Sequence, residues 1–191
     1  MLIAIIGIDG SGKTTQVELL KNANRYSVSV HKASSGDRNV IENIHFKNYI
    51  TYKQMLSVAM TMDLLRTYRN EISTYDNFTL NVWDRYKYCI QAYFAAEHIS
   101  YKKTNILLEE LRTPDLTIWL KIDPEVAEER IHKRGAAKPL EYADFLSVVQ
   151  QQYSEVLKNV NHVHVMDCNE KSAEVIHKGI MDLIEQRLQT L

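Results

Sequence analysis

Short unbroken apolar runs alternate along this chain with longer stretches in which apolar residues recur every three or four positions. Leu2–Ile6 is apolar throughout and rich in β-branched residues, which predicts a strand buried on both faces. Tyr26–His31 alternates and predicts a second strand; Thr79–Trp83, Asp115–Ile122 and His162–Met166 predict three more. Helices are predicted over Lys13–Asn22, Asn39–Thr74, Tyr86–His98, Lys102–Leu111, Pro124–Arg134, Pro139–Asn159 and Ser172–Leu188. The long second helix carries Met55, Leu56, Ala59, Met62 and Leu65 at helical spacing, and its methionines, Met60 included, suit a core or a subunit contact. Ser34–Asp37 reads as a turn, with Asp37 placed to cap the helix after it. Pro124 opens the fifth helix and Gly135 closes it, the usual proline-start and glycine-stop asymmetry. Strands alternating with helices predict an α/β chain in three layers: a five-stranded parallel sheet with helices on both faces. The 191 residues suit one domain, 1–191.

Composition narrows the partners. A formal charge of −1 argues against nucleic acid or an anionic membrane as the main partner, because both call for a basic surface. No run approaches the roughly 18 apolar residues of a membrane span. Cys89 and Cys168 stand far apart in no metal-ligand spacing, which fits a reducing cytoplasm better than a disulfide framework. His162 and His164 share a strand face, but with no third ligand nearby in sequence a strand-edge pair is favoured over a metal site.

The chemistry starts at "GIDGSGKTTQ", residues 7–16, which holds three of the chain's six glycines within six positions. Gly7, Gly12, Lys13 and Thr14 satisfy G-x-x-x-x-G-K-[ST], with a strand before and a helix after. Backbone N–H groups can surround a phosphate chain only where no Cβ intrudes, and the loop delivers that chain to a helix N-terminus that favours anions. Gly7, Gly10, Ser11, Gly12, Lys13, Thr14 and Thr15 are therefore expected to cradle the phosphates of a nucleoside triphosphate. Lys13 would reach the β- and γ-phosphates, and the Thr14 hydroxyl would bind Mg²⁺.

Two later segments add charge where a reaction would need it. The third strand ends at Asp84-Arg85-Tyr86, at the edge where open α/β sheets bind ligands. Asp84 would hold Mg²⁺ through water and Arg85 would clamp phosphoryl oxygens. Arg130 and Arg134 are four apart, on one helix face, and Gly135, two alanines and Lys138 follow. That suits a short mobile lid over about 130–142 that closes on phosphates and excludes water.

"GIDGSGKTTQ", "DRY" at 84–86, "RTPDLTIWLKIDPEVAEERIHKRG" and "DFLSVVQQQY", in that order, resemble the thymidylate kinases from residue 3 to about 185. The resemblance implies a P-loop kinase fold, transfer of the ATP γ-phosphoryl group to a deoxynucleoside monophosphate, most simply dTMP to dTDP, and a homodimer. It places Asp9 near the acceptor sugar and phosphate, Arg85 between donor and acceptor phosphoryl groups, and Tyr93 under the deoxyribose. Arg134 and Arg130 belong to the lid. Arg66 matches the arginine that reads thymine, although Asp63 stands at the spacing of a local pair. Gly10 occupies a position that is basic in some members, so the lid must supply that charge.

Two departures stand out. After the second strand the family usually carries an acidic-proline motif, whereas this chain has "HKASSGDRNV", leaving Arg38 as the substitute. Lys87, Tyr88, Cys89 and Ile90 follow Tyr86 where small or amide residues are common, with Gln91 next. "KPLEYADFL" is also similar to deoxynucleoside kinases, but their Glu-Arg-Ser segment and their glutamate base after the second strand are missing. A monophosphate acceptor is already ionised and needs no strong base, which favours it over a nucleoside hydroxyl. The remaining alternative is an NTP-binding regulatory module without an acceptor. Its GTP form would need Asn-Lys-x-Asp, which "DCNEKS" does not supply.

Overall fold

The structure, a computed structural model, describes residues 1–33, 36–72, 79–100, 102–135 and 139–190. Five strands form one wholly parallel sheet: β1 (Leu2–Ile6), β2 (Ser27–His31), β3 (Thr79–Asp84), β4 (Leu116–Lys121) and β5 (Val163–Asp167), in the order 2-3-1-4-5. The helices are α1 (Lys13–Asn22), α2 (Gly36–Glu42), α3 (Tyr49–Ile72), α4 (Lys87–Ala96), α5 (Lys102–Glu109), α6 (Pro124–His132), α7 (Ala143–Leu157) and α8 (Ala173–Leu188). The order puts β1 at the centre, hydrogen-bonded to β3 and β4. That is why Leu2–Ile6 is buried throughout and lacks alternation.

Register sorts the side chains into two layers. Ala4 lies beside Trp83 and Thr117, and Ile6 beside Trp119. This face meets α3 and α7: Tyr68 lies 6.3 Å from Trp83 and Tyr153 lies 5.9 Å from Trp119, ring centroid to ring centroid. α1 and α8 pack together on the other side of the sheet. α4 packs most extensively on α7, so α7 is tied to the segment that follows Asp84-Arg85. A buried ion pair, Lys53 Nζ to Glu97 at 2.7 Å, fastens α3 beside the end of α4, and the Tyr49 hydroxyl donates to the same carboxylate. Cys89 and Cys168 are both buried free thiols.

Several boundaries differ from the sequence reading. The helix expected over Asn39–Thr74 is two helices, α2 and α3, separated at residues 43–48; residues 73 and 74 lie outside the described residues. Asn48 begins the new helix, its side chain accepting from the Thr51 N–H, a side-chain cap that restarts the ladder. Of the turn expected at Ser34–Asp37, residues 34 and 35 lie outside the described residues, and Gly36 and Asp37 already belong to α2. The helix expected from Pro139 is a short 3-10 turn, Pro139–Glu141, followed by α7 starting at Ala143. His162 precedes β5 with a left-handed φ of 58°, so only His164 is a strand residue. Among the described residues no cluster of metal-ligating side chains occurs, and no helix is long and apolar enough to cross a membrane.

Asn81, a polar residue inside an apolar strand, has a physical account here. Its Nδ2 donates to Thr79 O at 3.3 Å, which turns Oδ1 toward His31 Nε2 at 3.1 Å. His31 is buried, stacks on Trp83 and faces Glu71 at 3.5 Å. The pair joins the edge strand β2 to β3 beneath α3. Asn81→Leu strips His31 Nε2 of that acceptor, and urea denaturation should show a loss of about 1–3 kcal/mol.

Candidate active site

β1 ends at the carboxyl edge of the sheet and hands the chain to a loop that turns into α1. The loop bends where only glycine fits. A Cβ on Gly7 would lie 2.5 Å from the Leu120 carbonyl oxygen, and one on Gly10, at φ 81°, would lie 2.5 Å from the Ala127 carbonyl oxygen of α6. α6 therefore packs directly on the loop, and position 10 has no room for a side chain. Gly12 is the N-cap of α1 and faces open space on its Cβ side. Ser11 is buried, whereas Thr14 and Thr15 are exposed on the first turn of α1.

Lys13 is 5% exposed, and its Nζ donates to Ile8 O at 2.6 Å and lies 3.9 Å from Asp9 Oδ1. Burial, with the nearby Arg85 charge, brings this ammonium down to about 8, against a partial offset from Asp9. Thr14 Oγ1 donates to Asp84 Oδ2 at 3.0 Å, joining α1 to the end of β3. The other Asp84 oxygen, Oδ1, is buried and has no hydrogen-bond partner.

Arg85 follows β3 with a left-handed φ of 72°, a conformation uncommon for a residue with a side chain. Its N–H still donates to Ile5 O at 3.0 Å, so the backbone stays in the ladder. The guanidinium makes an ion pair with Asp9 and sits 5.8 Å from the Tyr93 ring centroid. The Tyr93 hydroxyl donates to Asp9 Oδ2 at 3.0 Å and accepts from the Asp9 N–H at 3.0 Å. Burial opposes ionisation of Asp9, but Arg85, Lys13 and the Tyr93 hydroxyl together outweigh it and hold the carboxyl below its ordinary value. Arg85 is in turn driven up: burial works against its charge, and Asp9 more than compensates.

The sequence-derived residues thus fall into a joined group and an outlying one. Asp9 contacts Lys13, Arg85 and Tyr93, and Thr14 contacts Asp84, two sets held side by side because Lys13 precedes Thr14 on α1 and Asp84 precedes Arg85 at the end of β3. Arg130 lies on α6 one turn beyond Ala127, and its Nη2 reaches the Cys168 carbonyl at 3.4 Å. Arg134 is exposed in the turn that closes α6. Neither hydrogen-bonds to the phosphate loop among the described residues. Of the expected lid, residues 136–138, Lys138 included, lie outside the described residues. Arg66 is paired twice, to Asp37 Oδ2 at 2.6 Å and to Asp63 Oδ1 at 3.6 Å, and Arg38 Nε donates to Glu42 at 2.8 Å. Gln91 donates to Asn105.

Two contributors escaped the sequence reading. The buried Tyr153 hydroxyl donates to the Gly7 carbonyl at 3.2 Å, anchoring the loop's entry to α7. Its place in the apolar stripe Leu146–Val149–Tyr153–Leu157 marks burial but not the polar partner. Glu128 accepts from the Ala143 N–H at 2.6 Å and faces His132 Nε2 at 3.3 Å, stapling α6 to α7. Nothing in its spacing signals that contact with a residue 15 positions on.

A glycine loop wrapped around a helix N-terminus at the edge of a parallel sheet ordered 2-3-1-4-5 defines a P-loop kinase fold. The chain belongs to the thymidylate kinase family, ATP-dependent nucleoside monophosphate kinases: the family model described as thymidylate kinase matches residues 5–180. It is 31% identical, over 98% of this chain and 96% of the relative, to a protein named probable thymidylate kinase from Archaeoglobus fulgidus. A protein of the same name from Methanocaldococcus jannaschii is 28% identical over 97% and 96%. Among solved structures, a thymidylate kinase from Candida albicans superposes with a TM-score of 0.75 at 22% identity, covering 97% of this chain and 91% of that one. A deoxyadenosine kinase from M. mycoides superposes with a TM-score of 0.73 at 18% identity, covering 97% and 100%. At those identities the superpositions speak for the fold.

The buried lysine makes a pH prediction for the nucleotide-free protein. Below pH 8, folded and unfolded chains both hold the Lys13 proton, and the folded state bears the full desolvation cost. Between about 8 and the ordinary 10.5 only the unfolded chain binds it, so stability rises with pH across that window. Urea denaturation at pH 7.5 and pH 10 should show Lys13→Met more stable than wild type at the lower pH. That advantage, about 3 kcal/mol at most, should shrink by pH 10.

Proposed function

We propose that this chain transfers the γ-phosphoryl group of ATP to dTMP, giving dTDP and ADP. The observation that carries the reading is the placement of Arg85. It stands outside the phosphate loop, yet is turned back by a left-handed residue and held against the loop's own carboxylate beside Lys13. A cation so placed lies between a polyphosphate on the loop and an acceptor arriving from the β3 side. The relatives' names support thymidylate as that acceptor.

The chemistry asks for position and charge. An acceptor phosphate oxygen bonds to the γ-phosphorus as the bond to the ADP oxygen breaks, and the total charge of dTMP and ATP equals that of dTDP and ADP. No proton has to be removed. Asp9 fits this account, since it is paired to Arg85 and held ionised, whereas a nucleoside hydroxyl would want a base poised near neutrality. Lys13 and Arg85 would offset charge on the transferring group, with Arg134 and Arg130 joining from a lid over about 130–142. Gly7, Gly10, Ser11, Gly12, Thr14 and Thr15 would line the donor phosphates, and Asp9 and Tyr93 the acceptor's sugar.

Magnesium fits the residues present. Thr14 and Asp84 offer only hard oxygen donors, and Asp84 Oδ1 is a buried acceptor without a partner. One carboxylate, one hydroxyl, phosphates and water are what this ion prefers. Thr14 and Asp84 would hold it, and when bound it would neutralise developing phosphate charge. The two buried, unpaired thiols support a reducing, cytoplasmic setting. Met55, Val58 and Met62 form an exposed apolar stripe on α3, which supports a homodimer closing on that face.

Arg85→Ala should lower kcat by roughly 10²–10³-fold with the fold intact by circular dichroism; a wild-type rate removes Arg85 from the mechanism. A panel of nucleosides and monophosphates with ATP and Mg²⁺, read as ADP release, should show dTMP well ahead of thymidine. Thymidine ahead of dTMP would place the chain with nucleoside kinases. ADP release unaffected by every added acceptor would favour a regulatory NTPase.

A further inference from the structure

Tyr153 is fully buried on α7, and the proposed reaction gives it no task. Its ring lies against Trp119 of β4, with centroids 5.9 Å apart. That contact accounts for a buried aromatic ring and calls for no hydroxyl. The hydroxyl is nevertheless spent on the phosphate loop, donating to the Gly7 carbonyl at 3.2 Å. The Cys89 thiol, in the first turn of α4, interacts with the same hydroxyl. Burial, and after it Cys89, raises Tyr153 well above the ordinary tyrosine value, so the O–H keeps its proton and stays a donor.

Gly7 is the hinge between strand and loop. β1 ends at Ile6, and Gly7 takes a φ of 149°, which residues with side chains rarely adopt. With no Cβ to limit rotation there, contacts from outside must set the peptide that follows. That peptide is planar, so holding the Gly7 carbonyl fixes the direction in which residues 8–12 leave the sheet. The neighbouring carbonyl is held differently. Ile8 O accepts from the Lys13 ammonium at 2.6 Å and from the Ser11 N–H at 3.2 Å. Lys13 is also the cation proposed to offset charge on the transferring group, and phosphate oxygens compete with Ile8 O for its three N–H groups. Tyr153 meets no such competition, because its side chain is wholly buried.

We infer that Tyr153 is a positioning residue of the donor phosphate site: its hydroxyl fixes the root of the loop through the Gly7 carbonyl, so the loop keeps its phosphate-binding shape while Lys13 turns to the nucleotide. Being buried, Tyr153 acts through the Gly7 peptide and not on a substrate. The inference rests on the proposed kinase reading, because that reading gives Lys13 and the loop to ATP.

Tyr153→Phe removes the hydroxyl and leaves the ring against Trp119. The dissociation constant for ATP, read by titration calorimetry with no acceptor present, should rise about threefold to tenfold, the equivalent of one neutral hydrogen bond. KM for the acceptor monophosphate should stay within about twofold. In the nucleotide-free protein, amide hydrogen exchange should quicken in a peptide covering residues 7–16 and stay unchanged in one covering β4. ATP affinity and exchange are both measured without acceptor, so failure with dTMP corrects the substrate and leaves these two readouts to decide. ATP affinity within about twofold of wild type would overturn the inference. So would unchanged exchange at residues 7–16, or exchange rising equally there and in β4, which would make Tyr153 a packing residue only.

Discussion

The ion pair between Asp9 and Arg85 joins segments 76 residues apart and brings together the two halves of the site. One partner belongs to the phosphate loop and the other to the strand beside it. Lys13, buried under the same loop, adds a second cation a few ångströms away. Two positive groups this close repel each other, which is part of why burial beside Arg85 lowers Lys13. Asp9 is what makes the arrangement tolerable before any ligand arrives. A polyphosphate would meet a pocket already charged, already oriented and already screened from itself, so little reorganisation is left for the moment of transfer.

The sheet order makes that meeting unavoidable. With β1 central and β3 beside it, the loop after β1 and the turn after β3 must emerge side by side. The two ladders of β1 hold the loop's root, Tyr153 holds its first carbonyl, and α6 presses on Gly10 from above. Three separate elements therefore share the work of holding a glycine-rich segment that would otherwise be floppy.

Strands, their parallel sense and the phosphate loop were legible in the sequence because each follows from local rules: an unbroken apolar run, a glycine spacing, a lysine inside a helix start. Asp84 and Arg85 drew notice by position, at and just past a strand end, whereas Tyr93 was named through the family resemblance alone; the structure brings Arg85 and Tyr93 to Asp9, and Asp84 to Thr14. The break between α2 and α3 was not, since helical spacing continues across it and only the Asn48 cap restarts the ladder. Glu128 and Tyr153 were invisible for a different reason. Their partners are backbone groups of distant segments, and a backbone N–H or carbonyl has no letter in the sequence.

Cys89 and Cys168 lie in different parts of the fold, one in the first turn of α4 close to Lys13 and the phosphate loop, the other just past the edge strand β5. Cys168 is wholly buried, Sγ lies 3.3 Å from the Met166 carbonyl, and burial pushes its thiol up to about 11. Alkylating reagents need an accessible thiolate, so each buried sulfur is silent until the structure around it opens. The chain thus carries two native stopwatches, and their separate labelling rates would time the breathing of the catalytic and the outer margins of the sheet without any engineered probe.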